Sequence, residues 1–352
     1  MKVRSCLIRK GFLVYIILSL CTIGVIFAIT VSKKNWKDFF NFKVQYVIPV
    51  TAATTIRWIV EGLGLKILID SSSKLQISLW KTTKMRLECL FASIAVPIVG
   101  GNSMFQIYLL NREKLSIGES IAVASIRDVL PLLILFLSIP VLLLLGFHGK
   151  SHFFVTFVRV ATLPVLFILL FFIVSLFYPH KIKKLISGIL NFFEKHHWIK
   201  IEKIDQIRTS LHREVDILSA SLKLYLKERK RALFFASLCF FVTFLTEFSV
   251  AYFIMEGMNF NPNLKQSYAV QFFLKPILYL APSPGGSGFN EFGYMGFFSI
   301  FLPKYLVGGA VLMWRFFNAY LPTIIGGILL TKDLKLKIPI NKINELNSCV
   351  VL

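Results

Sequence analysis

The sequence predicts an all-α polytopic membrane protein, with about six full transmembrane helices and two opposed re-entrant hairpins that are broken by proline and glycine. Three observations carry that expectation. Apolar residues fill 56% of the 352 positions, Phe alone contributes 35, and charged residues supply 16%, against roughly a quarter in an ordinary globular domain. The apolar residues gather in runs close to the ~20 residues that a helix needs to cross hydrocarbon. Two further runs, at 87–110 and 266–302, are interrupted by PIVGGNS (97–103) and APSPGGSGFNE (281–291).

The first run, 11–32, follows Lys2, Arg4, Arg9 and Lys10. It is too long for the apolar region of a signal peptide and no small-residue cleavage site follows it, so it is expected to be a retained helix that starts in the cytoplasm. Full spans are then expected at 44–69, 119–147, 153–178, 231–256 and 305–331. A single crossing at 87–110 would place the basic segment 179–231, with thirteen Lys/Arg against six Asp/Glu, on the outside. Re-entry satisfies the positive-inside rule instead. The loop 70–86 (Lys74, Lys81, Lys84, Arg86), residues 111–118, segment 179–231 and the tail 332–352 then all face the cytoplasm, as do both termini. Loop 33–43, with four lysines, stays outside as an exception.

Residues 1–352 are expected to form a single integral membrane domain, in a prokaryotic cell (inner) membrane. Its halves are joined by 179–231, read as one or two amphipathic helices along the cytoplasmic interface or as a hairpin packing on itself. A net charge of +22 spread over short loops points to anionic headgroups and not to nucleic acid. Cys6, Cys21, Cys89, Cys239 and Cys349 show neither CxxC spacing nor clustering with histidine, so no disulfide framework or metal site is expected. All six histidines fall in loops or in the polar central stretch. Neither a catalytic histidine nor a cofactor is expected inside the bilayer.

A charge near the bilayer centre costs roughly 3 kcal/mol on insertion scales and faces a partner or a cavity. Arg57 and Glu61 stand at i,i+4 and can pair on one face. Arg127 and Asp128 are adjacent, hence about 100° apart on a helix, which predicts a different partner for each. Glu247 lies deep in FFVTFLTEFSVAYF and needs a cation from elsewhere. Lys275 precedes Pro276, where snorkelling explains it. Glu291 falls in the first turn after the glycine-rich break, where the helix dipole favours an acid. Arg315, in GGAVLMWRFFNAYLP, is expected to pair with one of these acids. The freed N–H groups of the PSPGGSG break are expected to be available to an anion.

The run PSPGGSGFNE (282–291) resembles the PGG-x-G-x-x-E signature of the flippase-like membrane domain of lysylphosphatidylglycerol synthases. Supporting likenesses are PIVGGN (97–102) to that family's first-half break, IRD (126–128) to its Arg-x-x-Asp-like element, and WRFFNAY (314–320) to its late arginine span. The sequence departs where the charges of Arg127 and Asp128 are adjacent, and at Gly101-Asn102, where the family often has Gly-Glu. The resemblance implies movement of a phospholipid or lipid-linked headgroup between leaflets, along re-entrant elements and buried charges. The residues expected to line that pathway are Pro97, Gly100, Gly101, Asn102, Arg127, Asp128, Glu247, Pro282, Pro284, Gly285, Gly286, Gly288, Glu291 and Arg315. Synthase members carry a soluble aminoacyl-transfer domain after the last span, and only about twenty residues follow Thr331 here, so an enzyme is not expected. A separately encoded synthase or glycosyltransferase is the expected partner. The competing expectations are an intramembrane enzyme on lipid-linked substrates and a non-transporting subunit.

Overall fold

The computed structural model describes residues 17, 21–26, 28–29, 42–72, 75–95, 101–144, 178–195, 201–279 and 283–335. Among them the regular structure is entirely helical. After a short 3₁₀ turn at Val44–Tyr46, the helices are α1 (Val47–Ser72), α2 (Leu79–Ala95), α3 (Gly101–Arg112), α4 (Ile117–Leu144), α5 (Pro179–Lys195) and α6 (Ile201–Glu228). There follow α7 (Lys230–Gly257), α8 (Leu264–Tyr279), α9 (Phe289–Phe301), α10 (Lys304–Arg315) and α11 (Leu321–Lys335). The expected span 153–178 lies outside the described residues apart from Tyr178, as do Pro97, Gly100, Pro282 and most of 11–32 and 332–352.

Helix α1 is the hub: it packs lengthwise on α7 and also touches α2 and α4. Two apolar cores flank it. One joins Val50 to Val250, Ile254, Tyr294, Phe298, Val307 and Trp314; the other joins Leu65, Leu68 and Ile69 to Met85, Cys89, Leu110, Val123 and Phe240. Lipid tails are as apolar as a helix surface, so helices in a bilayer gain little from burial alone and need close van der Waals contact. Glycine supplies it on both sides of α2. A Cβ on Gly62 of α1 would strike the side chain and backbone of Thr83, and one on Gly326 of α11 would strike the Leu87 carbonyl.

Each interrupted run contains two described helices in contact, α2 with α3 in the first and α8 with α9 in the second. The second break, a tight turn at Pro284–Gly286, touches α2. Helix α2 begins at Leu79, so Lys81, Lys84 and Arg86 are helical and do not belong to a loop. The last apolar run is not one regular span: α10 passes through a π turn, Phe316–Tyr320, into α11. Segment 179–231 forms two helices that pack on each other, with Lys183 and Asp216 paired at 2.5 Å. Helix α6 also rests on α4 and donates from the Tyr225 hydroxyl to the Leu68 carbonyl at 3.1 Å.

At the basic end of α2, Lys81 pairs with Glu113, while Lys84 and Arg112 share Asp333. Burial raises the Asp333 carboxyl, but the hydrogen bond and charge of Lys84, with Arg112, outweigh it and hold the group below its ordinary 3.8. A depressed folded value contributes stability above the unfolded value, and that stability is lost as pH falls through the folded one. Asp333→Asn is therefore expected to lower the thermal midpoint of detergent-solubilised protein near neutral pH, the difference from wild type closing as pH falls below 3.8. Gly326→Ala is expected to destabilise by about 1–3 kcal/mol, because α11 must move off the Leu87 carbonyl. Urea or thermal unfolding in detergent checks both.

Candidate functional site

The second break places its charges through backbone geometry. Gly285, Gly286 and Gly288 have φ of 57°, 68° and 86°, conformations that glycine adopts without strain. Gly288 caps α9, and its N–H donates to the Glu291 carboxylate at 2.7 Å. Glu291 also meets Arg315 Nε at 2.9 Å, and both side chains are almost completely buried. The second arm of Arg315 turns to the loop, donating to the Gly285 carbonyl at 3.0 Å and to the Ser287 hydroxyl at 3.1 Å. The expected pairing of Arg315 with an acid is thus present, and it is Glu291. Two of the N–H groups expected to be available to an anion are taken. Gly286 N–H is spent on the Ser283 carbonyl at 2.9 Å and Gly288 N–H on Glu291, so the loop shows Arg315 a carbonyl.

A second group centres on Glu247 of α7. Lys275 and Arg57, the latter at 3.7 Å, converge on its Oε1. Arg57 also donates to the Asn318 Oδ1 at 2.5 Å, which ties α1 to the π turn. Two expectations change here. Lys275 does not snorkel, because a buried carboxylate within reach offers its ammonium a stronger partner than a distant interface. Arg57 does not pair with Glu61, which is taken by Arg86 of α2. Local i,i+4 spacing loses because α2 lies close enough to α1, across Gly62, to insert a cation.

A third group joins α3 and α4. Arg127 Nη1 meets Asp128 Oδ1 at 2.6 Å, and Ser103 donates to the other carboxylate oxygen. Adjacent residues were expected to find separate partners. The long guanidinium side chain instead bends across the 100° offset and pairs with its neighbour, leaving Asp128 about one-third exposed. Glu61 lies within electrostatic range of Arg86, Arg127 and Arg57, and Tyr279 within range of Asp128, Arg127 and Arg86. Arg57, through Glu61, thus links the second and third groups.

Among the described residues the ion pairs use five cations, Arg57, Arg86, Arg127, Lys275 and Arg315, and four carboxylates, Glu61, Asp128, Glu247 and Glu291, with a fifth carboxylate, Glu88, buried on α2. Three buried guanidinium nitrogens, Arg57 Nε and Arg86 Nε and Nη1, have no acceptor. Unused guanidinium donors suit an anion. Of the other expected site residues, Gly101 starts α3, Asn102 is half-buried on it with Oδ1 unpaired, and Pro284 opens the turn after α8. Arg86, Ser103 and Asn318 are additional members. Arg86 was detectable as a cation at the edge of the apolar run 87–110; Ser103 closes the PIVGGNS run and Asn318 lies in WRFFNAY, but neither is charged, so an argument from charges passes over both.

Paired charges and broken helices inside apolar spans define an integral membrane domain that keeps a polar site away from bulk water. The chain belongs to the family of the lysylphosphatidylglycerol synthase TM region, which matches residues 13–326. It is also similar to a UPF0104 membrane protein of Archaeoglobus fulgidus, 19% identical over 314 residues that cover 89% of this chain and 94% of that relative. No solved structure matches.

Removing one partner of a buried pair leaves the other charge unpaired and costs about 3–5 kcal/mol, whereas replacing both removes the penalty. Glu291→Gln is accordingly expected to destabilise by about that amount, and Glu291→Gln with Arg315→Met by less, as read from unfolding in detergent.

Proposed function

We propose that the chain is a lipid translocase, flippase-like, that moves a phospholipid or lipid-linked headgroup between the leaflets of a prokaryotic cell membrane. The observation that carries this reading is the set of buried guanidinium donors without acceptors on Arg57 and Arg86. A phosphate would accept from those nitrogens as charge-assisted bonds, strong in a medium poor in water. In this reading the helix pairs α2–α3 and α8–α9 re-enter from opposite faces, and their breaks flank the headgroup while the acyl chains stay in the bilayer. Broken helices satisfy their backbone only against protein or a polar cavity, which supports such a path over a lipid-facing one. The family supports a role in lipid handling. Modification of the lipid is assigned to a separately encoded synthase or glycosyltransferase, and the chain itself to movement without group transfer.

The test is leaflet exchange in liposomes, with purified protein and headgroup-labelled phosphatidylglycerol, phosphatidylethanolamine and phosphatidylcholine. Exchange by the wild type, reduced about tenfold or more in Arg86→Gln, is the expected result; loss of one charge-assisted bond, ~1.5–3 kcal/mol, corresponds to that factor. Folded wild type that exchanges no lipid, or an Arg86→Gln protein as active as wild type, rejects the site.

A further inference from the structure

Helices α2 and α3 enclose buried polar atoms that the charge network does not use. Glu88 is 2% exposed and its Oε1 has no partner; Gln106 is fully buried and neither its Oε1 nor its Nε2 has one. Asn102 Oδ1 is likewise unpaired. Buried polar atoms in native proteins are nearly always bonded, to protein or to ordered water. Cross-helix pairs fix where these residues lie. Lys81 with Glu113, and Lys84 with Arg112 on a shared Asp333, set α2 antiparallel to α3 so that Glu88 is level with residues 106–108. Asn102 and Gln106 share one face of α3 at i,i+4 spacing, and neighbouring Ser103 donates to Asp128 of α4. Polar groups thus step from the Lys84–Asp333–Arg112 clasp, past Glu88 and Gln106, to Asn102 and Asp128. Beside them the same helices bury Met85, Cys89, Leu109 and Leu110.

We propose that this seam is a hydrated proton path, with Glu88 its acceptor nearest the basic end and Asp128 its terminus. The charged groups around Glu88 are Lys84 on its own helix, Asp333 from α11, and Arg112 and Glu113 from α3. Around Asp128 stand Arg127, Ser103 and Tyr279. A proton enters from bulk water at the clasp and adds to the Glu88 carboxylate. It then passes along waters held by the Gln106 and Asn102 amides and adds to an oxygen of Asp128. Only O–H bonds form and break. A neutral Asp128 no longer holds the Arg127 guanidinium, which turns to an anionic group; this last step rests on the headgroup reading above. The path gives that reading an energy source, since proton entry from one side would open Arg127 to substrate.

Infrared difference spectroscopy of the full chain in lipid nanodiscs, between mildly acidic and mildly alkaline pH, needs no transported substrate. The expected result is a titrating carboxylic C=O band that Glu88→Gln removes and a second that Asp128→Asn removes. On transfer to D₂O the Glu88 band is expected to shift rapidly in wild type and severalfold more slowly in Gln106→Leu, which fills the seam. A spectrum without a band sensitive to Glu88→Gln, or deuterium exchange unchanged by Gln106→Leu, overturns the path. If Glu88→Gln fails to fold, the deuterium comparison decides, because Gln106→Leu keeps Glu88. Bands present in protein that exchanges no lipid would uphold the path and reject the translocase; lipid exchange without the bands would do the reverse.

Discussion

Ionised groups held out of water must be neutralised locally, and the rest of this structure depends on that constraint. Each buried charge costs several kcal/mol in desolvation, which mutual attraction offsets only when geometry is good and the remaining donors and lone pairs are met. Here the partners are far apart in sequence: Arg57 with Glu247, Arg86 with Glu61, Arg315 with Glu291. Each pair fixes which two helices touch and at what depth. Apolar packing alone would not, since a lipid-facing leucine and a buried one differ little in free energy. The close approaches at Gly62 and Gly326 bring the backbones near enough for those pairs to form.

The long elements were legible in the sequence. Runs 44–69, 119–147 and 231–256 correspond to α1, α4 and α7 with ends displaced by a few residues, because a ~20-residue apolar run leaves few alternatives. The break before α9 was legible too, as its prolines and glycines act on the backbone locally and Glu291 follows at the capping position. Pairings across helices were not. Which cation meets Glu61 or Glu247 depends on the rotation of α1, α2 and α8 about their axes, and single-helix spacing carries no such information. Arg86 illustrates the difficulty: charged residues in the first turns of α2 depress local hydropathy and mimic a loop, although Leu87, Cys89 and Ala92 around it are buried.

The glycine-rich break also shows why a motif does not dictate its use. Positive φ at three glycines makes a tight reversal, and such reversals often turn N–H groups outward to an anion. In this chain Ser283 and Glu291 take two of the N–H groups first. The carbonyl of Gly285 accepts from Arg315, so the loop holds a cation in place.

The π turn at Phe316–Tyr320 lies where these parts meet. π turns are rare, occur mostly as single-turn bulges within α-helices, and are frequent at functional sites. Just before this one, Arg315 grips the break through Gly285, Ser287 and Glu291. Within it, Asn318 receives Arg57, which also reaches Glu247. Beyond it, Gly326 and Gly327 of α11 press on Leu87 and Phe91 of α2, the helix that carries Arg86. A change of pitch in this one turn would therefore act on all three charge groups together. A regular α-helix from Lys304 to Lys335 would rotate α11 relative to α10 and could not satisfy the Arg315 contacts, the Asn318 contact and the glycine contacts at once.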